Sequence, residues 1–497
     1  MDLRKPIRHQ TDVALNIAKH LFSKDEYQEK NFVFSPFSLH SLLSLMAAGS
    51  QGSTRVELLS FLGSHSSDHL NTFYSQLVSA VLSDAAPSLR LSYVNGVWAD
   101  KSVPLSHSFK QLVATHYNAT LTSLDFTKVD QVCHEVNSWV ERETHGLISG
   151  FCPSNAITKL TSLVYANALC FKGAWKHKFD PLSTFHCDFH LLNGTSVNVP
   201  FMSSKKETQF ISVFDDFKVL RLSYKQGRDK KRQFSMYIFL PDAKDGLPAL
   251  IEKLASESSS LKDKLPRQKV RVRNFGIPKF NISSTFEASN VLKELGVVSP
   301  FSRDADFTKM LDSPSIEEVY VGSMFHKASI EVNEEGTEAT AINILFMKNI
   351  CRTRCPGIDF VADHPFLFLI REDLTGTILF MGQVLHPDGA DSSAKAKSAM
   401  DDFLRAYHAR RAAIFKDVKK SRDFNSEADG ENEGESDDSY IYEMGNFVKE
   451  YLARPFGYVE EDNDAAAADD DKHVVSPKRK RSNKNYSGKE DNERPSK

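Results

Sequence analysis

Side chains able to do chemistry are plentiful in this sequence, but few are grouped. His65, Asp68 and His69 have the spacing of metal ligands, yet they fall in a Gly/Ser-rich stretch that predicts a solvated turn. Cys351 and Cys355 bracket Arg352 and Arg354, with Lys348 just upstream. Two thiols are too few for a standard zinc site, so they read as ordinary thiols, with a loop-closing disulfide or a weak metal site as alternatives. Gly-x-Ser-x-Gly, His-Glu-x-x-His and a phosphate-binding Gly-rich loop are all missing. Ser, His and Asp occur without an arrangement that would pair a nucleophile with a base. The sequence predicts no enzyme, no metal site and no cofactor.

The chemistry on offer lies in the backbone instead, between His326 and Ala341. Ile330 and Val332 alternate with Ser329, Glu331 and Asn333, as a strand does. The apolar anchors then stop, and the chain becomes Glu334, Glu335, Gly336, Thr337, Glu338, Ala339, Thr340 and Ala341. Small, weakly committed residues of this kind can end a strand as a loop. They can equally continue pairing if a neighbouring sheet opens beside them.

The elements that must position this segment are readable from periodicity. A first helix is predicted over 12–22, with Val13, Leu15, Ile17, Ala18, Leu21 and Phe22 at helical spacing. A short strand over 31–36 is stopped by Pro36, and Ser38 is expected to cap a helix running to about Gly49. Thr54 and Glu57 have the spacing of a capping box ahead of a Leu-rich face that ends before Gly63. A helix is expected over 132–144, with Val136, Trp139 and Val140 on one side. Strands are predicted over 89–99, 163–171, 195–202, 219–222, 234–240, 270–275, 366–370 and 377–384. Long strands and short helices in no regular alternation indicate an α+β domain with large mixed sheets.

Composition divides the 497 residues. Residues 1–387 alternate apolar runs with turns, whereas 388–497 are charged and low in complexity, with one predicted helix over 396–420. The net charge of −3 is too near balance to point to a partner. No leader-like or membrane-spanning apolar run occurs, so a cytoplasmic or nuclear protein is expected, or an extracellular one by unconventional export. Six cysteines in so long a chain make no disulfide framework, and Cys170 reads as a small core residue. Lys478, Arg479, Lys480 and Arg481 resemble a short nuclear localisation signal, or are a solvated basic run. Acidic neighbours oppose nucleic-acid binding.

Several blocks in order carry a family resemblance over about three quarters of the chain. They are Asn31-Phe-Val-Phe-Ser-Pro-Phe-Ser-Leu-His40, Val136-Asn-Ser-Trp-Val-Glu-Arg-Glu-Thr-His-Gly-Leu-Ile148, Asn167-Ala-Leu-Cys-Phe-Lys-Gly-Ala-Trp175, Phe234-Ser-Met-Tyr-Ile-Phe-Leu-Pro-Asp242, Asp359-Phe-Val-Ala-Asp-His-Pro-Phe366 and Leu379-Phe-Met-Gly-Gln-Val384. The chain resembles the serpins, and among them the plant serpins of the Z type, with an unusual C-terminal extension.

The resemblance implies a fold of three β-sheets and about nine helices, with a reactive-centre loop exposed over about 334–359. It implies a hinge from Glu334 to Ala341. A polar cluster under the main sheet, the shutter, would comprise Ser35, Ser38, Asn167 and His326, with Trp175 at the top of that sheet. The implied activity is inhibition of a serine endopeptidase, or of a papain-like or metacaspase-like cysteine endopeptidase, by a monomer acting as a suicide substrate. Counting from Glu334 puts the reactive bond at Ile350–Cys351, and counting back from Phe360 puts it about one residue earlier, near Asn349. Arg352 and Arg354 are further candidates, since a basic residue suits a trypsin-like pocket.

One departure from the family stands out. Thr340, Ile342 and Asn343 interrupt a run that is usually Ala-rich. Inward positions would be Thr337, Ala339, Ala341, Asn343 and Leu345. A buried Asn343 without a partner costs about 1–3 kcal/mol. Slow insertion would turn an inhibitor into a substrate, so a non-inhibitory binding or scaffold role is the alternative. The tail is either functional or an artefact of the gene model.

Overall fold

The computed structural model describes residues 4–82, 89–144, 146, 150, 152, 157, 161–204, 206–227, 229, 231–312, 319–337 and 357–387. The three longest strands, Leu89–Asp100, Leu163–Ala174 and Val321–Val332, have 12 residues each and stand side by side. They form the middle of a six-stranded mixed sheet. Its order is Phe280–Glu287, Val321–Val332, Gly336–Thr337, Leu163–Ala174, Leu89–Asp100, Ala119–Leu124.

A second, ten-stranded network contains the strands predicted from Ser196 to Val384. It is continuous because one long strand, Lys269–Pro278, works at both ends. Its first residues pair with Thr208–Val213, and its last pair with Ser196–Met202 and, in parallel, with Ile358–Val361. Two of the three expected sheets are therefore joined through a shared strand. The architecture is α+β, with nine α-helices among the described residues.

Local corrections have clear causes. The second helix begins at Pro36, with Ser35 rather than Ser38 as its cap: the Ser38 N–H donates to Ser35 Oγ at 3.1 Å. Proline suits the first helical position because its missing N–H would have no helical partner there. All of Pro36–Gly49 is buried. The first helix starts earlier than predicted, at Arg4. The helix Gly52–Phe61 has no side-chain cap. Thr54 Oγ1 instead accepts from the Asp306 N–H at 2.9 Å, and Glu57 accepts from the N–H groups of Val298 and Ser299 at 2.5 and 2.8 Å. Tertiary donors captured both residues of the apparent capping box. Asp68 and His69 lie in the first turn of a helix, Ser67–Leu82, rather than in a loop. No group of three potential metal ligands occurs among the described residues.

The helix Val129–Glu143 covers one face of the six-stranded sheet. Val132, Val136, Trp139 and Val140 recur at helical spacing and build a separate apolar cluster with Trp98, Val164 and Ala166, against which Phe325 packs. Trp139 meets Trp98 edge to face at 5.0 Å. Among the described residues no helix is long and apolar enough to cross a membrane.

Candidate functional site: the seam of the main sheet

The two central strands, Leu163–Ala174 and Val321–Val332, are zipped together only along their lower halves. Parallel pairing runs from Val321 opposite Leu163 to Lys327 opposite Ala168. Above that point 328–331 has no partner in 169–172; Val321–Val332 keeps its other neighbour, Phe280–Glu287, throughout. The top of the gap is filled by Gly336–Thr337. Gly336 stands opposite Ala174, and Thr337 lies between Gly173 and Val332.

A turn at 333–336 delivers those two residues. Asn333 Oδ1 accepts from the N–H groups of Glu335 and Gly336 at 3.0 and 3.4 Å, and the Asn333 N–H donates to Gly336 O at 3.0 Å. Glycine is required here by space: a Cβ on residue 336 would stand 2.1 Å from Gly173 O. Thr337 is 1% exposed and shares a 2.7 Å hydrogen bond with the Tyr224 hydroxyl, whose pKa burial raises.

Neighbouring segments hold the rest of 333–337. The N–H groups of Trp175 and Phe179 donate to Glu335 O and Glu334 O at 2.9 and 3.0 Å. Trp175 stacks on Tyr224 at 4.6 Å, and its indole N–H donates to Asn333 O at 2.8 Å. Glu334, 9% exposed, accepts from Thr184 at 2.7 Å and pairs with Lys279 at 3.2 Å. Glu335 pairs with Lys178 at the surface.

Polar residues also cluster where the zipped half ends. His326 faces Asn167 directly across the seam. The Ser35 N–H donates to His326 Nε2 at 2.9 Å, so that nitrogen carries no proton. Burial pushes the His326 pKa down to about 3, in keeping with a neutral ring. Asn167 Nδ2 donates to Asn95 Oδ1, and the Asn95 amide donates to the Tyr93 hydroxyl and Tyr117 O at 2.7 and 2.8 Å. Asn167 Oδ1 and Ser38 Oγ are buried with no hydrogen-bond partner among the described residues. A buried acceptor left this way costs about 1–3 kcal/mol.

The structure thus brings Ser35, Asn167 and His326 to one point and Trp175 to the hinge, while the Ser38 side chain joins no bond there. Glu334, Glu335, Gly336 and Thr337 are placed as above. Glu338, Ala339, Thr340, Ala341, the bond candidates at 349–354 and the basic run 478–481 lie outside the described residues. Sequence reading missed Asn95, Asn333, Tyr224 and Lys279. Asn95, the one amide in the alternating series Leu89, Leu91, Tyr93, Asn95, Val97 and Ala99, carried a signal; Lys279 carried none.

A family model described as "Serpin (serine protease inhibitor)" matches residues 8–387. The chain belongs to the serpin family. It is 48% identical to Serpin-ZX of Arabidopsis thaliana over 393 residues, covering 78% of this chain and 100% of that protein. Serpin-ZXA of Oryza sativa subsp. japonica is 49% identical, with 78% and 98% covered. Among solved structures, Arabidopsis AtSerpin1 in its native stressed conformation is 48% identical with a TM-score of 0.71, over 78% of this chain and 99% of that one. Thyroxine-binding globulin in complex with thyroxine is 26% identical with a TM-score of 0.66, over 77% and 99%. Protease inhibition is the family's general function. Residues 388–497 of this serpin lie beyond the matched region.

Proposed function

We propose that this serpin inhibits serine endopeptidases, and cysteine endopeptidases of the papain or metacaspase type, as a suicide substrate. One observation carries the reading: the main sheet is parted above the seam, and Gly336–Thr337 is already paired between the two strands that flank the gap. The protease nucleophile attacks a carbonyl in the loop, with Ile350–Cys351 as the counted bond, and forms an acyl-enzyme. The severed segment then adds as a strand and drags the protease with it. Distortion of the oxyanion hole and catalytic residues stalls deacylation. The serpin supplies no catalytic group. Its lifetime depends on the barrier to relaxation rather than on equilibrium stability.

The register supports this course. Two steps on from Thr337, Ala339 would stand opposite Phe171 and Ile330; four steps on, Ala341 would stand opposite Leu169 and Ala328. All four of those neighbours are buried, so small residues are what the slot admits. Six steps on, Asn343 would stand opposite Asn167 and His326, which already face each other. The count closes from both sides. The inward Asn343 would thus arrive beside the unpartnered Asn167 Oδ1, which answers the difficulty that its polarity raises.

Incubation with trypsin-like and papain-like proteases tests the proposal. An SDS-stable covalent complex and a cleaved form that melts well above the intact form are expected. Cleavage with neither result would leave the second reading, a binding or scaffold protein. Thr340, Ile342 and Asn343 favour that reading by interrupting the small-residue run, and a thyroxine-binding protein on the same fold gives it a precedent.

A further inference from the structure

Cys133 and Cys152 bring their sulfurs to 3.8 Å, and both residues are buried. The contact is held from outside the thiols. Asn137, one turn along the helix from Cys133, accepts from the Cys152 N–H at 2.7 Å and donates to Cys152 O at 3.1 Å. Both backbone polar groups of Cys152 are thereby fastened to the helix Val129–Glu143, beside the thiol that its own sulfur touches. A disulfide needs the sulfurs to close from this contact to about 2 Å.

The position of the pair gives it a consequence. Both cysteines belong to the apolar cluster that joins the helix to Val164 and Ala166 on one central strand, with Phe325 of the other packed against it. Those residues lie in the zipped half of the seam, between Val321 opposite Leu163 and Lys327 opposite Ala168. The helix therefore straddles the line along which the sheet must part. Residue 152 belongs to the return from that helix to the strand Leu163–Ala174.

We infer that Cys133 and Cys152 form an oxidisable clamp, closed by a hydroperoxide, that ties the helix to its return segment and slows parting of the seam. One thiolate attacks a peroxide oxygen, breaking the O–O bond and releasing water to leave a sulfenic acid. The second sulfur then displaces the sulfenic oxygen as water and forms the S–S bond. Two thiols are oxidised, and hydrogen peroxide is reduced to two waters. Burial pushes the Cys152 pKa up to about 12, with Cys133 adding to it, so thiolate is scarce while the cluster is closed and the reaction is slow. The effect on inhibition rests on the function proposed above; the clamp itself does not.

The full-length chain carrying Cys351→Ser and Cys355→Ser is treated with excess hydrogen peroxide and compared with the same chain carrying Cys133→Ala and Cys152→Ala. The expected result is a peptide pair linked through 133 and 152, released by dithiothreitol. Hydrogen exchange at the amides of 163–168 and 321–327 should slow severalfold in the linked chain only. Absence of the linked pair, or a linked pair with unchanged exchange, overturns the inference. With a trapped protease, oxidation should raise the stoichiometry of inhibition severalfold, and dithiothreitol should restore it. If the reduced chain with Cys351 and Cys355 intact traps no protease, the inhibitory reading fails, while the peptide and exchange measurements still decide the clamp.

Discussion

The two ends of the gap in the main sheet are built on opposite plans. At the top, the described residues 333–337 are well engaged: Asn333, Glu334, Glu335 and Thr337 all have partners, and Trp175 and Tyr224 wall them in. At the bottom, Asn167 Oδ1 and Ser38 Oγ are buried without partners among the described residues, and His326 Nε2 accepts a backbone N–H. Satisfied polar groups fix one conformation, whereas unsatisfied ones favour any rearrangement that supplies a partner. The upper end holds Gly336 and Thr337 where they are. The lower end is where relaxation would gain most.

The largest test of this contrast is Thr337→Arg. Position 337 is 1% exposed, and an unpaired buried charge costs roughly 3–5 kcal/mol. Each ~1.4 kcal/mol on a barrier is about tenfold in rate. Covalent complex on a denaturing gel should all but disappear while cleavage of the loop continues. Persistent complex would show that the upper end is not the point of admission.

Acid probes the lower end. His326, and away from the seam His40 in the buried helix Pro36–Gly49, are held neutral by burial, their pKa values pushed from 6.5 to about 3. Below pH 6.5 the unfolded chain binds protons that the folded chain does not. The stability these rings contribute is therefore complete above pH 6.5 and lost as pH falls towards 3. The slope is about 1.4 kcal/mol per pH unit for each ring. Denaturant titrations across that window should show His326→Gln reducing the slope by one proton, whatever its stability at neutral pH.

Asn343→Ala should act on the cleaved form. The native form should melt unchanged, while the gain on cleavage should shrink by about 1–3 kcal/mol, the cost of leaving Asn167 unpartnered. An equal gain in both proteins would break the register argument. The smallest effect is expected for Lys178→Ala. Its pair with Glu335 is more than half exposed on both sides, so chemical denaturation should change by less than about 1 kcal/mol.

The strands of both networks were legible because their apolar runs are long, and the α+β class followed. Ends were less legible where a distant group decided them. Glu57 and Thr54 read as a helix cap, but Val298, Ser299 and Asp306 supplied donors from more than two hundred residues away. At the hinge, the loss of apolar alternation after Val332 showed that the strand weakens. It could not show that Gly336 and Thr337 pair again at once, because that depends on Gly336 lacking a Cβ beside the Gly173 carbonyl, from a strand more than 150 residues upstream. Ser35, Asn167 and His326 were nameable through the family resemblance, whereas the unpartnered oxygen of Asn167 belongs to geometry alone.

The shared strand Lys269–Pro278 has one more effect. It anchors Ile358–Val361, just downstream of residues 338–356, and the strands Phe366–Glu372 and Ile378–Val384 follow deep in the same network. A peptidase that severs the chain anywhere between 338 and 356 therefore produces two polypeptides that stay assembled. On the mechanism proposed above, the acylated end would go with the upstream piece, while the last 110 residues remain tethered to the downstream one. Whatever the extension carries would stay aboard the spent molecule and would not be shed as a fragment.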